Sequence, residues 1–353
     1  MTEESTDDTE FAPEPDPRIE DLRRRLSEAL LEVNHGEYFR SRIHGWVAYR
    51  DDVDVVLPVG IAGRLKSPFP FDRNPGDADE MATLDAFVIA YHAAESWYRL
   101  LFALFDGSRT TTASALIAMV EMKAGAAFNK RVEHWIGLPD ESLTKMLDFL
   151  FLPEEVKDEW PDEGATIEEV QEYLRLWCRH LGHFLGEWRN AYNAAKHGLA
   201  VGARPTQFTF VPNEPPMSPV ELGNGPMLRT VEHAFQKDDD DNDIKINGQK
   251  VLRWFWMYRS VDPDELIARA IVTADLLDWL RAIARSRHLK EVGIWVPIRA
   301  EPKPCDLQRP TSPMKSFEAD LAAFPLSPEQ ASEVLARLGR TEVDEEAEEG
   351  SDR

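Results

Sequence analysis

The run from Glu80 to Phe105 is apolar on nearly every side of a helical wheel, and a helix of that kind is buried on all faces. It demands neighbours all round, which predicts the centre of a helical bundle. Asp85, His92, Glu95 and Arg99 interrupt the run, so it reads as a core helix and not as a membrane span. No membrane partner is expected.

Other segments supply the neighbours. From Arg18 to Val33, Ile19, Leu22, Leu26, Leu30 and Leu31 recur at helical spacing with charges between them, an amphipathic surface helix. A helix rich in Ala and Met is predicted over 111–136, stopped by Gly137 with Pro139 beyond, and a shorter one over 141–151. Thr166 and Glu169 form a capping-box pair that opens a long helix to Lys196, with Gly198 as its stop. Asp262-Pro263 opens the last large helix, ending near His288.

Residues 46–60 are Val-rich and broken by Asp51-Asp52, so two short strands or an extended arm are expected there. Gln207–Val211 reads as a strand. Ile244–Ile246, Asn247-Gly248 and Val251–Tyr258 read as a β-hairpin, because Asn-Gly favours the backbone handedness of a tight turn. The expectation is a mainly α protein: a tail over 1–17, a helix and arm over 18–78, and a helical bundle over 79–290. A small β-hairpin insertion near 206–259 precedes the last large helix, and a Pro-rich tail over 291–353 carries one short helix after Ser327.

The net charge of -24 is concentrated. Residues 1–17 hold seven acids and no base, residues 341–353 carry a net -6, and Asp238–Asp241 with Asp243 add -5, leaving -6 for the rest. The acidic ends are expected to be disordered and solvated. The remainder lacks the cationic excess that nonspecific duplex binding needs. Cys178 and Cys305 are the only cysteines, with no paired spacing, and the acidic N-terminus has no apolar leader, so a reducing, cytoplasmic setting is expected. The glycine-rich nucleotide loops and the Gly-x-Ser-x-Gly elbow are absent.

The segment Glu187–Gly198 (EWRNAYNAAKHG) is the most polar part of an otherwise packed helix. Leu174, Cys178, Leu181, Leu185, Trp188 and Tyr192 share its apolar face. Arg189 and Lys196 fall near the edge of that seam, with Asn193 next to them and His197 one step further round, and Arg175 and Arg179 lie on the same side as Asn193 and His197. Such a stripe suits a phosphate: Lys196, Arg175 and Arg179 as anion holders, Arg189 stabilising developing charge and His197 carrying a proton. The same residues also suit an ordinary helix C-terminus, where Lys and His favour the dipole. On the central helix His92, Glu95, Ser96 and Arg99 recur at helical spacing. Glu95 and Arg99 should pair, within the helix or across to the Arg189 stripe. If the two stripes meet, Glu95, Arg99, Arg189, Asn193 and His197 form one polar site, with Arg99 a further phosphate holder.

His180, His183 and Glu187 share one helix side and include metal-ligating types, but that side points away from the apolar seam, so no metal or other cofactor is expected. The Asp238–Asp243 run lacks the glycine and glutamate of a calcium loop, since Ile244 and Lys250 stand at those positions.

A His/Glu/Arg-bearing apolar helix followed by an Arg-Asn…Lys-His-Gly helix end resembles the HEPN superfamily of small helical bundles, many of them metal-independent ribonucleases acting as dimers. The resemblance implies catalytic roles for Arg189, Asn190 and His197, with Glu95 as polar partner and Asn193 available for positioning. It implies RNA as a partner, and a homodimer, in a defence or toxin-type role. Seven residues separate Arg189 from His197, longer than the usual spacing, or roughly 12 Å along a straight helix. The alternative is a non-catalytic helical interaction protein.

Overall fold

The computed structural model describes residues 17–50, 75–109, 125–158, 164–196, 201–210, 220–238, 242–289, 300–307 and 316–325, with Met119, Met122, Trp160, Pro161 and Glu291. The helices are α1 (Pro17–Glu32), α2 (His35–Arg50), α3 (Pro75–Arg109), α4 (Ala126–Ile136), α5 (Asp140–Phe151), α6 (Glu154–Asp158), α7 (Ile167–Lys196), α8 (Pro263–Leu289) and the single turn α9 (Pro304–Leu307). The strands are β1 (Val201–Phe210), β2 (Val220–Phe235), β3 (Lys245–Ile246), β4 (Gln249–Ser260) and β5 (Ser316–Pro325).

The fold is mainly α, with α3 at its centre as its all-round apolarity requires. Ala86, Phe87, Ile89, Ala90, Ala93, Ala94, Trp97 and Tyr98 are completely buried. α8 lies along α3 and contributes Ala270, Thr273, Ala274, Leu277, Trp279 and Leu280 to the same core. α7 covers another side of α3: the Tyr98 hydroxyl donates to the Cys178 carbonyl at 2.6 Å and the Tyr91 hydroxyl to the Leu185 carbonyl at 3.2 Å. Rising numbers on one helix meet falling numbers on the other, so the pair is antiparallel. All six residues of the expected α7 seam are buried. Gly182 permits the close approach, because a Cβ there would meet the Tyr98 hydroxyl, Ile136 and Val132.

Two local signals are borne out in detail. The Thr166 amide donates to the Glu169 carboxylate at 2.8 Å and the Glu169 amide to the Thr166 hydroxyl at 3.2 Å, a complete capping box. Asn247 and Gly248 take φ of 53° and 81° in the β3–β4 turn.

Three expectations are corrected. Residues 46–50 are the last turn of α2 and not extended: Phe39, Ile43 and Trp46 bury one face of that helix, and the Trp46 indole donates to the Ala82 carbonyl at 2.6 Å. Residues 51–74 lie outside the described residues. The insertion is larger than a hairpin, because the expected Pro/Gly-rich loop after β1 contains β2, and the Pro-rich tail contains β5. Together they make a five-stranded antiparallel sheet in which β4 pairs with β2, β3 and β5, and β1 pairs with β2. The core, finally, does not begin at residue 79, since Leu30, Leu31, Phe39, Ile43 and Trp46 share it with α3 and α8. Of the helix expected over 111–136, the part from Ala126 is present. Most of 111–124, the helix after Ser327 and both acidic ends lie outside the described residues.

Candidate functional site

The two polar stripes meet. Tyr91 of α3 stacks on Tyr192 of α7, ring centroids 4.0 Å apart and 14° from parallel. This stack brings the His92–Glu95–Arg99 stripe of α3 beside the Arg189–Lys196 end of α7. Tyr91 feels both Glu95 and Arg189, Tyr192 feels Glu95 and Arg99, and His92 feels Glu95, Lys196 and Arg99.

Within the cluster Arg99 grips the Glu95 carboxylate from Nε at 2.9 Å and Nη2 at 2.7 Å, and its Nη1 donates to the Met122 carbonyl at 2.8 Å. Its guanidinium also lies 5.1 Å from the Phe128 ring centre. Arg99 is therefore committed within the protein, and Glu95 with it. Burial holds the His92 imidazole below its usual pKa, opposed by Glu95 and assisted by Arg42, Lys196 and Arg99, so the ring is neutral at neutral pH. Burial likewise pushes the Tyr91 and Tyr192 phenols upward. Arg189 and Lys196 make no hydrogen bond or ion pair among the described residues; Arg189 is half-buried and Lys196 exposed.

A third wall escapes the sequence reading. Tyr38 and Arg42 of α2 flank the cluster, Tyr38 with its ring 6.3 Å from His92 and Phe39 with its ring 5.5 Å from it, both edge-on. Arg42 pairs with Asp85 at 2.8 Å. The signal for them was the helical spacing of Phe39, Ile43 and Trp46, which makes Tyr38 and Arg42 neighbours on one helix side.

Other candidates are seated elsewhere. Asn193 is exposed, and the exposed Asn190 amide reaches only 3.5 Å from Glu232 on β2. His197 lies outside the described residues. Arg175 and Arg179 are separated from Lys196 by most of α7: Arg179 holds Asp140 at 2.6 Å and the Leu138 carbonyl at 2.9 Å, and Arg175 holds Asp140 at 3.4 Å. They fasten α7 to the α4–α5 turn, because α5 begins with an acid that needs a cation. The expectation that they share a phosphate with Lys196 does not fit this placement.

The His180, His183, Glu187 trio also differs from its expectation. His180 is not on a solvent side but under α8, where its Nε2 accepts from Arg269 Nε at 3.0 Å and its ring stands edge-on to Trp177. Burial, with Arg269 and His183 nearby, lowers its pKa to about 3. A helical wheel of α7 alone cannot reveal that α8 covers this side. No group of three or more metal-ligating side chains occurs among the described residues. At the Asp238–Asp243 loop, Asp243 is paired with Lys250 at 2.6 Å.

No helix among the described residues is long and apolar enough to cross a membrane. No family model, no curated protein and no solved structure matches the chain.

Proposed function

We propose that the chain binds RNA at the α2–α3–α7 junction and cleaves it without a metal, in the manner of a HEPN-like ribonuclease. One observation carries this reading: two cations with no partner among the described residues, Arg189 and Lys196, stand at the stacked Tyr91–Tyr192 pair, Arg189 acting on Tyr91 and Lys196 on the adjoining His92. Cations without internal partners attract a phosphodiester, and hydroxyl attack on phosphorus requires a proton acceptor, the role this reading gives to His197. In this reading Arg189 and Lys196 hold the phosphate, His197 follows directly in the chain as acid/base, Asn190 and Asn193 position the strand, and Glu95 orients its surroundings through Arg99.

Incubation of the purified chain with mixed cellular RNA in chelator tests it. The expected result is cleavage by the wild type, lost on His197→Ala and reduced at least about 100-fold on Arg189→Ala, within the range that general acid–base and charge stabilisation supply. Equal cleavage by wild type and both variants overturns it. A second reading, a non-catalytic interaction module that forms a dimer or holds a protein partner, draws on Arg99, which is spent on Glu95 and the Met122 carbonyl as a structural tie would be. Absence of cleavage together with a stable complex in sedimentation would favour it.

A further inference from the structure

Tyr192 stands on α7 with Arg189 three residues before it and Lys196 four residues after. The three therefore share one helix side, with the two cations roughly 10 Å apart along the axis. Tyr91 and Tyr192, stacked at 4.0 Å, are themselves closed to solvent, 5% and 8% exposed. Tyr38 of α2 is the accessible ring beside them. It is 50% exposed, stands edge-on to Phe39 at 5.0 Å and to His92 at 6.3 Å, and is near enough to Tyr192 to act on its phenol. A ring left half in water forgoes the burial that its neighbours have.

The charges around Tyr38 do not cancel. Asp85 is held by Arg42 at 2.8 Å and Glu95 by Arg99 at 2.7 Å, one cation to each acid. Glu37, which precedes Tyr38 in the chain, lies 3.9 Å from Arg40, the residue that ties α2 to α8. Glu232, which reaches towards Asn190, is spent on Arg259 at 2.7 Å. Arg189 and Lys196 are left over, with no partner among the described residues. Two surplus cations and one open ring suit a nucleotide better than its simpler rivals. A phosphate alone would leave Tyr38 idle, and an acidic peptide would bring charge without a flat ring to lie on it.

We infer that Tyr38 is the base seat of this site: an unpaired base lies on its ring while the flanking phosphates meet Arg189 and Lys196. The inference rests on the α2–α3–α7 reading and adds to it the residue that selects the substrate. A duplex keeps its base faces stacked on one another, so Tyr38 admits only strands whose bases are free. Its part is specificity, and the chemistry at phosphorus does not pass through it.

Fluorescence anisotropy with the full chain and a short fluorescein-labelled oligothymidylate tests it, since a strand without 2′-hydroxyls is bound without being cut by their attack. A duplex and an abasic strand of equal length stand beside it. The expected result is preference for the base-bearing single strand, weakened about ten-fold by Tyr38→Ala and largely kept by Tyr38→Phe, which retains the ring. Wild type and Tyr38→Ala should bind the abasic strand equally, because only phosphates are held there. Absence of binding, equal affinity of wild type and Tyr38→Ala for the base-bearing strand, or an equal loss on the abasic strand overturns the inference. Cleavage of RNA is read separately. Tyr38-dependent binding without cleavage sinks the nuclease reading and keeps the base seat, whereas cleavage that Tyr38→Ala leaves unchanged on single strands keeps the nuclease reading and sinks the base seat.

Discussion

The Arg269 guanidinium, 6% exposed, donates to His180 and to Glu265 at 2.6 Å and lies 4.2 Å from the Phe184 ring centre. His180 can accept from it only while its Nε2 is unprotonated. The folded pKa of about 3 lies below the ordinary value of 6.5, so between those values the unfolded chain binds a proton that the folded chain refuses. Stability from this site is full above pH 6.5 and drains as pH falls. Between pH 7 and pH 5, above most carboxylate titration, the loss should be about 2 kcal/mol. His180→Gln keeps an acceptor for Arg269 and removes the titration. Urea unfolding at both pH values should therefore show a shallower pH dependence in His180→Gln than in wild type. Identical slopes would place the histidine outside the linkage. None of this was legible from α7 alone, whereas the six-residue seam of the same helix was, because apolar spacing reports burial and says nothing about which polar neighbour arrives from a distant segment.

Elements with a local signal were legible and those without were not. The Thr166–Glu169 box, the Asn247-Gly248 turn and the Asp262 cap of α8 are each written within four residues, and each is present. β2 and β5 are strands by virtue of β4, to which they pair from across long stretches of chain. The Gly and Pro of β2 hid it, and β5 lies in a stretch whose surrounding prolines read as a tail. α2 was hidden differently: its buried face is narrow, and the charge at Arg40 and Arg42 faces partners on α8 and α3 rather than water. Arg40 binds Asp275 at 2.7 Å and Asp278 at 2.5 Å, and Gly36 lets the start of α2 close on Asp278 and the Ala274 carbonyl. Arg40→Ala removes the cation that these two carboxylates share. Discounted for partial solvent screening, the cost should be about 1–2 kcal/mol. Adding Asp275→Asn and Asp278→Asn should recover part of it. A cycle of these variants by urea denaturation would show no coupling if the clamp contributes nothing.

The molecule as a whole is assembled across the boundary that the sequence suggested near residue 79. α1 and α2 put Leu30, Leu31, Phe39, Ile43 and Trp46 into the core of α3 and α8, and Arg281 donates to the Leu31 carbonyl at 2.6 Å, closing the end of α1. The candidate site follows the same pattern, since Tyr38 and Arg42 reach it from α2. Five large side chains, each worth about 1.5–3 kcal/mol on burial, approach the 5–15 kcal/mol that holds a whole domain together, even after the entropy of ordering two helices is set against them. A chain begun at Pro75 keeps α3 intact but exposes these seats, together with Asp275 and Asp278. It should lack a single cooperative thermal transition, and a peptide of residues 17–50 added in trans should restore one. Thermal melts followed by circular dichroism decide this. If the shortened chain melts cooperatively at the full chain's midpoint, the N-terminal helices are an appendage, and the third wall of the site is dispensable to the fold.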